Sequence, residues 1–194
     1  KIKPETREHI FNVIAKLGYT PNYSAQCLSV KKTNTVGLIV PNIENPLFSQ
    51  MIAGIEEYAN MRGYDLLLGI SESTNEKEDF YLDMLLRKRV DGLLLFPTFL
   101  DRLSDKLSRF NRPGTPIVLC GSSGNGIDNI SFVKCDNRTG SFKAVEHLIE
   151  RGCSKIGCIF PVISKHQYKS RLTGYKDALY YNGIPFREEL IRTC

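Results

Sequence analysis

An α/β fold built on a doubly wound parallel sheet is what this sequence predicts, and three observations predict it. From Thr35 onward, short apolar runs alternate with amphipathic stretches of helical length. The runs are apolar along their whole length, as in Val36–Val40 and Leu93–Phe96, which suits strands covered on both faces. The intervening stretches are long enough to be crossover helices, and each crossover is expected to be right-handed.

The elements follow in order. Residues 4–17 read as a helix: Pro4 suits the first helical position, Glu5 the positive end of the helix dipole, and Gly18 a left-handed cap. Ile10, Val13, Ile14 and Leu17 form one apolar stripe, which a helix this short cannot bury by itself. Tyr19-Thr20-Pro21-Asn22 is a turn ending in a good N-cap. The following Tyr23–Ser29 can form at most two helical turns, which are marginal in water because nucleation is costly. Lys31–Asn34 reads as a linker. Strand Thr35–Val40 then leads to a helix from Leu47 to Arg62 with Met51, Ile55, Tyr58 and Ala59 on one face. Strand Tyr64–Ile70, helix Glu76–Lys88, strand Val90–Phe96 and helix Asp101–Phe110 come next. The remaining elements are strands Ile117–Cys120 and Ile130–Lys134, helix Arg138–Arg151, strand Lys155–Phe160, and a helix from Tyr168 to Asn182.

Net charge is +5, and residues 1–32 carry +4 of it, so a basic leading segment precedes a nearly neutral body. That asymmetry fits a front end that meets a polyanion, or simply a solvated basic tail. No apolar run approaches the 20 residues of a membrane span, and no secretory leader follows Lys1, so the expected location is cytoplasmic. Because the chain does not begin with Met, residues upstream are expected to have been trimmed. Six cysteines show no CxxC pair and no histidine placed to complete a zinc set, so the expectation is free thiols, no metal and no cofactor. The run Gly121–Gly126 lacks the spacing of a phosphate loop and reads as a surface turn. His9, His147 and His166 are scattered, with no nucleophile at motif spacing, and an enzyme is not expected.

Several short matches now appear in one order. They are Thr6-Arg7, Ile14–Asn22, Ala25, Leu28, Thr35–Pro41, Asn45–Phe48, Gly54-Ile55-Glu56, Gly63-Tyr64, Arg89–Gly92, Asp136-Asn137, His147–Ile149 with Gly152, Lys155–Gly157 and Arg171–Tyr175. In this order and spacing the chain resembles the lactose-repressor (LacI/GalR) family of transcription regulators. The resemblance implies a core of the periplasmic-binding-protein-like type with two lobes, preceded by a helical DNA-binding remnant and a hinge helix. It implies three parts: residues 1–33 as the end of a headpiece plus hinge, 34–133 as the first lobe, and 134–194 as the start of a second, incomplete lobe. The first two headpiece helices and the end of the core are then expected to lie outside this chain.

The resemblance also assigns residues. Leu28 becomes an apolar wedge in the minor groove of operator DNA, where unstacking a step is offset by a bent duplex touching more protein, unless it belongs to a frayed linker and only touches the core. Asn22 caps the hinge helix, Ser24, Ala25 and Gln26 face the DNA backbone or the partner hinge, and Tyr19 fits a phosphate contact or a packed aromatic. Phe48 corresponds to an aromatic stacked on a small-molecule effector, unless it only opens the apolar face of its helix. Asn45, with Asn42 nearby, supplies polar contacts or makes a turn. Arg171 corresponds to an arginine whose forked donors grip effector hydroxyls or carboxylates. Asp136 lies near the effector, caps the next helix, or does both. Lys165, His166 and Gln167 occupy the loop before the last helix. The implied partners are operator DNA, a sugar or related metabolite, a second copy of the chain, and in some settings a corepressor protein. An extracytoplasmic sugar-binding protein of the same core is the rival reading, and it leaves Tyr19–Leu28 unexplained.

Overall fold

The computed structural model describes residues 2–18, 32–98, 103–108, 115–122, 130–160 and 165–193. The described elements are α1 (Pro4–Leu17), β1 (Thr35–Val40), α2 (Pro46–Met61), β2 (Asp65–Ile70), α3 (Asn75–Lys88), β3 (Gly92–Leu95) and α4 (Leu103–Ser108). They continue with β4 (Ile117–Cys120), β5 (Ser131–Val133), α5 (Asn137–Glu150), β6 (Cys158–Phe160), α6 (Lys165–Tyr181), a short 3-10 turn Glu188–Leu190, and β7 (Ile191–Thr193).

Strands β1 to β5 form one parallel sheet in the order β2-β1-β3-β4-β5. Winding runs outward from β1 to β2 and then reverses to β3, so the switch point of this sheet lies between β1 and β3. Residues alternate between its two faces. Ile39, Leu93, Leu95 and Leu119 join Leu82 and Leu85 of α3 and Leu107 of α4 in one core cluster. Leu38 and Val40 point the other way, joining Phe96 against Phe48, Met51, Ile52 and Ile55 of α2. Both faces are covered, which is why the strands read as apolar throughout. Gly37 makes the close fit of α3 possible, since a Cβ there would come 2.7 Å from Leu85 Cδ1.

Strands β6 and β7 pair in parallel as a second sheet. Against it, Val145 of α5, Ile156, and Tyr175, Ala178 and Leu179 of α6 form a third core cluster. Helices α5 and α6 meet at Gly174, where a Cβ would stand 2.0 Å from the backbone oxygen of Arg138. No helix among the described residues is long and apolar enough to cross a membrane.

Helix α1 ends as its sequence predicts, on Gly18 at φ 59°, whose N–H donates to Ala15 and Ile14 carbonyls. Lys3 makes no side-chain cap bond, and no residue of α1 is buried.

Four expectations change. Tyr58 does not share the core face of α2. It is 59% exposed under the Arg62 guanidinium, and Phe48, Met51, Ile52 and Ile55 carry the stripe instead. Tyr58 sits at the edge of that stripe, where its hydroxyl stays wet. Strand β6 begins at Cys158, because Lys155–Gly157 makes no ladder with β7. Strand β7 was not anticipated, since three residues are too few to display an alternation. Helix α6 starts at Lys165, so Lys165, His166 and Gln167 lie in its first turn and not in a loop. A polar first turn is invisible to apolar periodicity.

Candidate effector site

In a doubly wound sheet the crevice for a ligand opens beyond the carboxyl ends of the strands, at the switch point. Here that point is flanked by the segments following β1 and β3. After β1, Asn42 accepts the Asn45 backbone N–H at 3.1 Å, and Asn45 in turn caps α2 by accepting the Leu47 N–H at 3.0 Å. Ser49 closes the loop by donating to the Ile43 carbonyl at 2.8 Å. The Asn45 cap satisfies a helix-start N–H that would otherwise lack a partner, stabilising the helix by roughly 1 kcal/mol. Among the described residues the amide nitrogens of both asparagines make no hydrogen bond.

After β3, Phe96 meets Phe48 edge to face, with ring centres 5.6 Å apart and planes at 86°. One aromatic from each side of the switch point therefore meets there, in the core cluster beneath α2. Phe48 is half-buried, Asn45 is exposed, and Phe96 is buried.

Asp136 and Arg171 come together elsewhere, at the amino end of α5. Asp136 caps that helix, accepting the Thr139 N–H at 3.0 Å and the Thr139 hydroxyl at 2.8 Å. The Thr139 backbone N–H, helped by its hydroxyl, holds the Asp136 carboxyl below the usual carboxylate range. Half-buried Arg171, on α6, donates from Nε to Asn137 Oδ1 at 3.1 Å. Its terminal guanidinium nitrogens make no hydrogen bond among the described residues. Beside it, Arg138 pairs with Asp177 at 2.7 Å. No hydrogen bond or ring contact joins Asn45 or Phe48 to Asp136 or Arg171 among the described residues.

Tyr19, Asn22, Ser24, Ala25, Gln26 and Leu28 lie outside the described residues, as does most of the turn Gly121–Gly126. Of that turn, Gly121 takes φ 78° and Ser122 is buried. Among the described residues no group of His, Cys, Asp or Glu is arranged to hold a metal ion.

Two constellations escaped sequence reasoning. The first is a buried ion pair. Glu78 is fully buried on α3, and Lys106 of α4 stands 3.1 Å from its Oε1 and 3.1 Å from Asp79 Oδ1. Lys106 also donates to Asn75 at 3.2 Å, while Glu78 Oε2 accepts the Thr98 N–H at 3.1 Å. The available signal was Glu78 itself, a carboxylate in register with core residues Leu82 and Leu85. The second is Asp91, just before β3. Its carboxylate accepts the backbone N–H groups of Thr33 (3.0 Å) and Asn34 (2.9 Å), tying the linker to the sheet.

A doubly wound parallel sheet followed by a second α/β unit defines a core of the periplasmic-binding-protein-like class. More narrowly, the chain belongs to the family described as periplasmic binding proteins and the sugar-binding domain of the LacI family, which residues 33–194 match. It is 35% identical over 191 residues to catabolite control protein A of Staphylococcus xylosus, covering 98% of this chain and 57% of the relative. It is 32% identical over 190 residues to the HTH-type transcriptional repressor PurR of Actinobacillus pleuropneumoniae, covering 98% of this chain and 56% of the relative. Among solved structures, the transcriptional regulator CelR in complex with cellobiose matches with a TM-score of 0.70 and 28% identity, covering 100% of this chain and 57% of that one. These relatives are regulators and not enzymes. The chain spans little more than half of their length.

Proposed function

We propose that this chain is the sensing part of a DNA-binding transcription regulator, a repressor whose operator affinity is set by a sugar or related metabolite. The observation that carries the reading is the Phe48–Phe96 pair at the switch point of the sheet, in a chain that belongs to a sugar-binding family. Aromatic rings there offer an apolar face for a sugar ring, and the Asn45 amide lies alongside it. Arg171, anchored by Nε on Asn137, presents its remaining donors as a fork for hydroxyls or an acidic group. Asp136 keeps the start of α5 in place and accepts hydrogen bonds near the ligand. In this reading residues 34–133 and 134–194 are two lobes that close on the effector.

The rest of the mechanism is linkage. Effector binding shifts operator affinity only by its differential affinity for two arrangements of the core. The Asp91 anchor supplies a physical connection, because movement of the sheet is passed to Thr33 and Asn34 and on to the segment before them. Tyr19, Asn22, Ser24, Ala25, Gln26 and Leu28 contact operator DNA in a cytoplasmic homodimer, with a corepressor protein as a further partner.

The test uses the intact protein. Its preferred duplex is selected from a random pool, and binding is measured with and without candidate sugars. Leu28→Ala should weaken duplex binding about tenfold, on the order of 1.4 kcal/mol, and leave sugar affinity unchanged. Phe48→Ala should abolish the sugar response and leave sugar-free duplex binding intact. An intact protein that selects no duplex refutes the regulator reading.

A further inference from the structure

We propose that Thr98 is a ligand-reading hydroxyl on the first lobe, and that it recognises an uncharged hydroxyl of a sugar-like effector. This rests on the effector-site reading above and specifies which part of the ligand faces β3. Among the described residues Thr98 Oγ1 is the buried side-chain polar atom that has no hydrogen-bond partner. Native proteins pair nearly all such atoms, so an orphan marks a place for a water or a ligand group. The position agrees. Thr98 lies two residues beyond Phe96, on the segment leaving β3, next to the switch point where Phe96 meets Phe48.

The segment is also held in place. The Thr98 N–H donates to Glu78 Oε2, and Glu78 is fixed through Oε1 by Lys106, which in turn is fixed by Asn75 and Asp79. A fully buried carboxylate and a nearly buried ammonium spent on one backbone amide suggest positioning of the hydroxyl beside it. The charge of this cluster selects the ligand class. The fully buried Glu78 carboxylate, bonded to the Thr98 N–H, disfavours a phosphate or carboxylate beside it. An uncharged hydroxyl can either donate to or accept from the Thr98 hydroxyl, while any anionic group of the effector is left to Arg171.

The experiment is calorimetric titration of the intact protein with D-glucose, D-ribose and cellobiose, repeated on Thr98→Val, Thr98→Ser and Phe48→Ala, with thermal melts of each ligand-free form. At least one of these uncharged sugars should bind. Thr98→Val should weaken that binding tenfold or more, and Thr98→Ser should stay within about twofold of the parent. Ligand-free Thr98→Val should melt no lower than the parent, because removing an unpaired buried hydroxyl takes away no native bond. The proposal is overturned if none of the three sugars binds, if Thr98→Val binds as tightly as the parent, or if it melts earlier without ligand. Loss of binding in Phe48→Ala with Thr98→Val unaffected sinks only the role of Thr98. Unchanged binding in both sinks the effector site itself.

Discussion

Helix α1 carries nearly every local signal of a helix and buries no residue, whereas α6 carries few and supplies three of the five buried residues of a core cluster. In α1, Pro4 opens the helix, Gly18 closes it in the left-handed region, and Ile10, Phe11, Val13 and Leu17 remain 39–75% exposed. In α6 the apolar periodicity is weak, yet Tyr175, Ala178 and Leu179 are at most 2% exposed. The difference is a partner. Gly174 lets α6 approach the backbone of α5, and that contact excludes water from side chains whose own pattern would not have predicted it. Local signals shape a helix, and tertiary contact decides how much free energy its side chains contribute.

The sharpest way to break this comparison is Gly174→Ala. A methyl there meets backbone atoms that cannot rotate away, so α5 and α6 must separate, at a cost of about 3 kcal/mol or more in urea unfolding. A loss below 1 kcal/mol would mean that the two helices pack less rigidly than their geometry implies.

Tyr175→Phe comes next. It removes the hydroxyl that donates to the buried Ile156 carbonyl at 2.8 Å and leaves that carbonyl unpaired, which costs about 1–3 kcal/mol. Unfolding midpoints of the two proteins check it.

Asp136 sharpens the comparison through its cap, since α5 starts on a titrating group and α1 on Lys3, which makes no side-chain cap bond. The folded-state pKa of Asp136 is lowered by Thr139, so its stabilisation is fully present above the ordinary carboxylate pKa. It is lost as pH falls through the lowered value. Asp136→Ala should reduce stability at neutral pH and flatten this acid-side loss, and melting curves of parent and variant across the acidic range test both effects.

Ile10→Ser should have the smallest effect, within about 0.5 kcal/mol in the chain as it stands, because the side chain leaves little buried surface behind. A larger loss would show that α1 has found a partner.

The legible part of the candidate site was its side-chain chemistry at the ends of elements. Asn45 and Asp136 precede helices, and both prove to be caps, as the residue types before those apolar runs allowed. Phe48 opens α2 and packs toward the core as its spacing from Met51 and Ile55 indicated. The illegible part consisted of contacts between distant segments. Phe48 on Phe96, Arg171 on Asn137, Glu78 on Lys106 and Thr98, and Asp91 on Thr33 are joined across 20 to 58 positions, and no local period encodes them.

By itself the sequence determined the alternation of strands and helices, the positions of Gly18 and the caps, and the family to which the chain belongs. These depend on backbone geometry and burial pattern, which act over a few residues. Only the tertiary structure decided the strand order that puts the switch point between β1 and β3, the burial of Glu78 with Lys106, and the unpaired hydroxyl of Thr98. Strand order and buried polar pairing are set by which distant segments exclude water from one another, and that is a property of the assembled core.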